Sequence, residues 1–185
     1  MASFTRRAIK ESFMKLLEER PLNQITVKDI VEDCGVNRNS FYYHFEDIPA
    51  LIDEIITEDT DSIIRQYSGV DSIEDCLKAA VRFAHNRKRA ILHLYRSANK
   101  DMVEQYLIKI CDYTVKSYME KSFSDVRISE GDREIITRFC RCECFGQTIE
   151  WLNSGMSYDV EAQFGRLCEL LHGMVEELIE RCAVK

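Results

Sequence analysis

The sequence is poor in chain breakers: among 185 residues there are only 2 prolines and 7 glycines. A β-rich fold of this length needs many tight turns, and turns need these residues, so their scarcity favours long helices. β-branched residues are scattered rather than alternating with polar ones, which removes the usual pattern of a half-buried strand. No apolar run approaches the ~20 residues of a membrane-crossing helix, because the most apolar stretches carry a charge every few residues. The opening segment MASFTRRAIKESF has no continuous apolar stretch of the kind a secretory signal needs. The expected location is therefore the cytoplasm, with no membrane partner. Also missing are a Ser-His-Asp arrangement, a Gly-rich phosphate loop and a distinctive carboxylate pair. No catalytic residue, cofactor or enzyme activity is expected on that ground.

An excess of positive charge is missing too. The 25 Lys and Arg are outnumbered by 32 Asp and Glu, for a net charge of −7. Taken alone this disfavours nucleic acid, which attracts basic surfaces. The first 47 residues do not reverse it: Arg6, Arg7, Lys10, Lys15, Arg20, Lys28 and Arg38 face Glu11, Glu18, Glu19, Asp29, Glu32, Asp33, Glu46 and Asp47. Any DNA binding must rest on where individual charges stand.

What is abundant is helical periodicity. Phe4, Ala8, Ile9, Phe13, Leu16 and Leu17 predict a helix over 4–19, ended by Pro21. Thr26 and Asp29 resemble a capping box at the start of a second helix, with Ile25 and Ile30 at the positions of a hydrophobic staple. Val27, Ile30 and Val31 point inward, and Gly35 supplies the left-handed conformation of a tight turn. Asn37 is a good N-cap for a third helix over 38–44, with Phe41 and Phe45 toward the core. A fourth helix begins at Asp47-Ile48-Pro49 and runs to about Tyr67. Further helices are predicted near 72–86, 88–97, 100–122, 130–153 and 158–182, and the basic run Asn86-Arg87-Lys88-Arg89 reads as a solvated loop. The last two are long, and each carries an apolar stripe. One is Ile135, Phe139, Cys142, Phe145, Ile149 and Leu152; the other is Val160, Phe164, Leu167, Leu171, Met174, Leu178 and Cys182. Such stripes predict a homodimer through residues 130–182.

The segment TVKDIVEDCGVNRNSFYYHF, residues 26–45, carries the functional signal. Helix, Gly-containing turn and short helix is the geometry that sets a second helix in the DNA major groove. That helix is polar outward, with Arg38, Asn39, Ser40 and Tyr43. Arg reads guanine bidentately and Asn reads adenine. Tyr42 and His44 are suited to phosphate oxygens, which fix register rather than sequence. The free N–H groups at Thr26 and Val27 offer a further phosphate site.

Thr26, Ile30, Gly35, Val36, Phe41, Tyr42, Tyr43, His44 and Phe45, with Leu51 beyond, closely resemble the DNA-binding domain of the TetR family of transcriptional regulators. The resemblance covers about the first 50 residues; beyond them only the general plan is similar. It implies an all-α fold: a three-helix helix-turn-helix domain at 1–47 and a larger helical dimerisation and ligand-binding domain at 48–185. It implies base contacts from Asn37, Arg38, Asn39, Ser40 and Tyr43, and phosphate contacts from Thr26, Tyr42 and His44. The implied partners are a palindromic double-stranded DNA operator, a second copy of the chain, and a small-molecule effector that releases the DNA. Family members usually carry Lys where this chain has Ile48. A Lys there meets a phosphate, so its absence predicts shallow salt dependence; the alternative is that Ile48 is a packing residue.

Two readings stay open. A helical protein-interaction module that has lost DNA binding is the other function consistent with the acidic balance. The 8 cysteines sit mostly at apolar helical positions and read as structural thiols, with no metal expected. Redox sensing or soft-metal binding at Cys140, Cys142 and Cys144 is the alternative, although on a helix only Cys140 and Cys144 share a face.

Overall fold

The computed structural model describes residues 2–67, 81–122 and 128–170, together with 173, 174, 177, 181 and 182. Its regular elements are helices, and no β-strand occurs among the described residues. They are α1 (Ala2–Glu19), a 3₁₀ turn (Leu22–Gln24), α2 (Val27–Cys34), α3 (Arg38–His44), α4 (Ile48–Tyr67), α5 (81–86), α6 (Lys88–Tyr95), α7 (Lys100–Ser122), α8 (Glu130–Asn153) and α9 (Val160–Leu170). The expected start of the helix at 72–80 lies outside the described residues. No helix among the described residues is long and apolar enough to cross a membrane. The chain forms two compact units, residues 1–62 with 84–106 and residues 63–83 with 107–185.

In the first unit, Ile9, Phe13, Leu16 and Leu17 recur at helical spacing and make one buried stripe on α1. The chain leaves α1 at Pro21, and Leu22–Gln24 forms a short 3₁₀ turn that the periodicity does not announce. Thr26 then starts α2 with a full capping box: its side chain accepts from the Asp29 amide, and its own amide donates to Asp29 Oδ2 at 2.8 Å. Gly35 ends α2 at φ 70°, and its amide and that of Val36 both donate to the Val31 carbonyl. No atom stands within 4 Å of where a Gly35 Cβ would be, so the position selects glycine by backbone conformation rather than by crowding. Asn37 caps α3, accepting from the Ser40 amide at 2.8 Å. Asp47 caps α4, accepting from the Ala50 amide at 2.7 Å.

These caps aim Ile30, Val31, Phe41, Phe45, Leu51, Ile52 and Ile55 at the α1 stripe, in one cluster that also holds Ala90. Truncating a fully buried member such as Leu51 or Phe41 to Ala costs about 2–5 kcal/mol. A buried hydroxyl ties α1 to α2, with Ser12 Oγ donating to the Ile30 carbonyl at 3.1 Å. Helix α6 packs on α1, where the His93 ring bonds the Leu17 carbonyl through Nδ1 at 2.7 Å. The basic run at 86–89 is a one-residue turn rather than a solvated loop: Lys88 already opens α6, and Arg87 Nη1 donates to Asp59 Oδ2 at 2.6 Å.

In the second unit, Val115 and Met119 of α7 pack with Ile136 of α8, with Tyr118, Ile128, Cys140 and Cys182 around them. Arg141 of α8 donates to Asp112 of α7 at 3.2 Å. Trp151 is buried and its indole N–H donates to the Tyr158 carbonyl at 3.1 Å. Gly155 at φ 74° and Met156 at φ 54° make the turn after α8. The single helix expected over 158–182 is interrupted, because Gly173 stands at φ 82° in a turn. Helical conformation resumes at 174, and the Glu177 amide donates to the Gly173 carbonyl at 2.8 Å.

Candidate nucleic-acid interface

The outward face of α3 follows from the inward one. Phe41 and Phe45, four apart, anchor the helix in the core at 0% and 3% exposure. The intervening turn must then turn away from the core, and Tyr42 and Tyr43 are 52% and 79% exposed. Large aromatic surface in water is unusual for a helix that only packs, and aromatics with polar tips suit a wet interface. The Tyr42 ring meets Phe41 edge-on at 5.5 Å, and Tyr43 meets His44 edge-on at 5.0 Å, so both phenols stand on a supported base.

Asn37, Asn39, Ser40, Tyr43 and His44 line one shallow cleft of about 330 Å³, and the sixth lining residue is Thr5 of α1. Arg38 and Tyr42 are exposed beside it. Thr26 does not line the cleft; its hydroxyl accepts from the Asp29 amide and donates to the Asp29 carboxylate. Asn37 is similarly engaged, since Oδ1 accepts from both the Ser40 amide and the Ser40 hydroxyl, leaving its NH₂ free to donate outward. Thr5 was not among the residues expected from the sequence. The signal was present, because Thr5 lies four residues before buried Ile9 and so borders the inward stripe of α1.

The charge puzzle of the first 47 residues has a local answer. Arg6 is bound by Glu54 and lies 5.5 Å from the Phe45 ring centroid, and Lys10 Nζ meets Glu58 at 2.7 Å and Glu54. Arg7 pairs with Glu11 at 2.7 Å, Lys15 with Asp33 at 2.6 Å, Arg20 with Asp29 at 3.2 Å and Lys28 with Glu32 at 3.7 Å. Among the described residues Arg38 alone of the seven cations has no carboxylate partner. It occupies the first position of α3, on the outward side of the turn.

The carboxylates register this pairing. Hydrogen bonds from Thr26 hold Asp29 below the usual carboxylate range, and Lys15 does the same for Asp33. Burial pushes Glu54 up, but the bonds from Arg6 and Lys10 outweigh it and hold the group low. These acids stay charged at neutral pH and keep the surrounding cations occupied.

Ile48 is half-buried and packs against the core cluster. Asp47 beside it is spent on capping α4. Among the described residues no group of three or more His, Cys, Asp or Glu side chains is placed to hold a metal ion.

Comparison with known proteins identifies the family and the fold. Residues 12–55 match the model for bacterial regulatory proteins of the tetR family, and residues 71–173 match the model for a transcriptional regulator C-terminal region of the same family. An uncharacterised HTH-type transcriptional regulator of Bacillus subtilis (strain 168), YxbF, is 22% identical over 175 residues, covering 88% of this chain and 43% of that protein. The HTH-type transcriptional repressor KstR2 of Rhodococcus jostii (strain RHA1) is 36% identical over 62 residues, covering 31% of this chain and 30% of that protein. The chain thus spans less than half the length of the curated relatives it matches. Among solved structures, the dihydroxyacetone kinase operon activator DhaS superposes with a TM-score of 0.76 at 18% identity, covering 93% of this chain and 96% of its own. NalD of Pseudomonas aeruginosa, the secondary repressor of the MexAB-OprM multidrug efflux pump, gives 0.59 at 19% identity, covering 100% and 99%. At these identities the two structures speak for the fold.

Proposed function

The chain belongs to the TetR family of bacterial regulatory proteins, and from that premise we propose that it is a sequence-specific DNA-binding transcriptional regulator. The observation that carries this reading is the outward face of α3. It holds an unpaired cation at Arg38, two amides at Asn37 and Asn39, and two exposed phenols, on a helix whose other face is fixed in the core. Arg38, Asn37, Asn39, Ser40 and Tyr43 read base edges, while Tyr42, His44 and Thr26 meet phosphates. Thr26 then has to turn its hydroxyl proton from Asp29 to the DNA. Residues 1–47 are the DNA-binding domain in function, although the core that holds them rigid extends to Leu51, Ile52, Ile55 and Ala90.

The active form is a homodimer through residues 130–182. Ile135 and Phe139, one turn apart on α8, are 63% and 53% exposed, and Cys142 continues the same stripe. A second copy would cover that stripe, and the operator would then be a near-palindrome in double-stranded DNA. The regulator acts as a repressor in the cytoplasm, in keeping with the name of KstR2, and a small-molecule effector of the second unit releases it from DNA.

The test is a binding titration of the full chain on the DNA upstream of its own gene, against random DNA of equal length. Preference for the upstream DNA, lost in Arg38→Ala, supports the reading. One observation favours the other reading, a protein-interaction module without DNA binding: six of the seven N-terminal cations are already neutralised within the chain. Absence of any preference for the upstream DNA at low salt would select it. A reporter driven by the bound promoter falls on expression of a repressor and rises on expression of an activator.

A further inference from the structure

The cysteine run on α8 does not behave as a unit. Cys142 is exposed, whereas Cys140 and Cys144, one turn apart, are half-buried and face the opposite way, toward α7. Helices α7 and α8 are close in sequence and pack antiparallel. Stepping one turn at a time, positions 119, 115 and 111 of α7 come opposite positions 136, 140 and 144 of α8. The first two steps are the apolar cluster of Met119, Val115, Ile136 and Cys140. The Asp112–Arg141 ion pair at 3.2 Å pins the same register. The third step sets two thiols opposite each other, Cys111 on α7 and Cys144 on α8, one turn beyond the Val115–Cys140 step and beside the Asp112–Arg141 pair. Cys111 is only 5% exposed, while Cys144 is only partly buried.

We propose that Cys144 and Cys111 form a reversible redox site in which a hydroperoxide converts the dithiol to a disulfide linking α7 and α8. The two sulfurs have distinct roles. Cys144 is the more accessible of the two and Cys111 lies buried, and their pairing lowers the Cys144 thiol while, with burial, it raises Cys111. Cys144 is therefore the thiolate that attacks and Cys111 the thiol that resolves. The Cys144 sulfur attacks the outer oxygen of the peroxide, the O–O bond breaks, and the departing alkoxide takes a proton to leave as an alcohol. Cys144 is now a sulfenic acid. Cys111 attacks that sulfur and loses its proton to the departing hydroxide, so that one S–S bond and one water are formed. Two electrons have passed from the two sulfurs to the peroxide. A cellular dithiol or glutathione returns them by exchange. The alternating spacing of Cys140, Cys142 and Cys144 along α8 is thus incidental: the functional partner of Cys144 lies on another helix.

The experiment uses the full chain, fully reduced and then treated with one equivalent of hydrogen peroxide. Remaining thiols are alkylated and the protein is mapped by mass spectrometry. The expected product is about 2 Da lighter, has lost two of its 8 alkylatable thiols, and yields a linked peptide pair containing Cys111 and Cys144. Cys144→Ser should slow thiol loss about tenfold or more. Cys111→Ser should leave a sulfenic acid at Cys144 that dimedone labels. Cys142→Ser should lose thiols at the same rate and give the same linked Cys111–Cys144 pair as the natural chain. A linked pair within Cys140, Cys142 and Cys144, a disulfide between two chains at Cys142, or oxidation that is unchanged in Cys144→Ser would each overturn the assignment. If a serine variant fails to fold by circular dichroism, the linked-peptide map of the natural chain decides alone.

Discussion

Arg38 and Asn37 are neighbours with different physical roles, and substitution should separate them. Arg38 has no ion-pair partner among the described residues, so nothing in the folded chain is lost when it is truncated. Arg38→Ala should keep the melting temperature while weakening operator binding by roughly 1–3 kcal/mol and relaxing specificity at one base pair. Asn39→Ala should do the same at another position. Asn37 holds the start of α3 through the Ser40 amide, so Asn37→Ala should cost about 1 kcal/mol of stability besides any loss of affinity. Tyr42→Phe and His44→Ala remove phosphate donors and should weaken operator and random DNA equally. Titrations on both DNAs, beside thermal melts, check all five variants. If Arg38 and Asn39 affected neither DNA, α3 would not be the recognition helix.

The starts of α2, α3 and α4 and the end of α2 are set by caps that can be read within a few residues, which is why the sequence reveals these elements so closely. Thr26 with Asp29, Gly35, Asn37 and Asp47 are all local devices. The long-range contacts were not legible in the same way. Nothing near His93 announces that its ring reaches the Leu17 carbonyl, or that Ala90 belongs to the helix-turn-helix core. Position 48 shows the same limit. The departure from Lys was visible, but its meaning depended on whether the side chain packs or faces the DNA, and Ile48 packs against the core. Ile48→Lys should therefore lower the melting temperature and leave the salt slope of DNA binding unchanged. A steeper slope at an unchanged melting temperature would place the residue on the DNA after all. The capping box adds a pH dependence. Asp29 titrates below its ordinary value of 3.8 because Thr26 bonds favour the charged form. A depressed carboxylate stabilises the fold above its unfolded pKa, and that contribution disappears as pH falls through the lower folded value. Melting curves from pH 6 downward should show Asp29→Asn losing less stability across that acid window than the natural chain.

At the scale of the whole molecule, dimerisation and electrostatics make one coupled prediction. The proposed dimer would double a net charge of −7, so the assembly as a whole would repel DNA, and attraction must come from a few placed cations. Arg38 is the N-terminal cation without an internal partner among the described residues, which gives two such groups per dimer. A guanidinium in the groove offsets about one phosphate charge even while it reads a base, and the slope of log affinity against log salt is about −0.9 per offset phosphate, so the expected value is roughly −2 for the dimer. That is shallow for an operator-binding protein, and it holds only while Arg6, Lys10, Lys15 and Arg20 keep their carboxylate partners. Glu54→Gln releases Arg6 and weakens the hold on Lys10, so it should steepen the slope by about one to two units per dimer. The proposed dimer rests on the α8 stripe. Replacing both Ile135 and Phe139 by Ser removes apolar surface that is mostly exposed in the single chain, so the fold should survive while the dimer weakens about a hundredfold or more. Sedimentation should then find a species of 21.6 kDa where the natural chain gives twice that mass. Because two recognition helices must dock together, the same variant should lose operator preference and retain only a salt slope near −1, one Arg38 at a time. A stable monomer with full operator affinity would refute the coupling, and a natural-chain slope as steep as about −6 would mean that the internal ion pairs open on DNA.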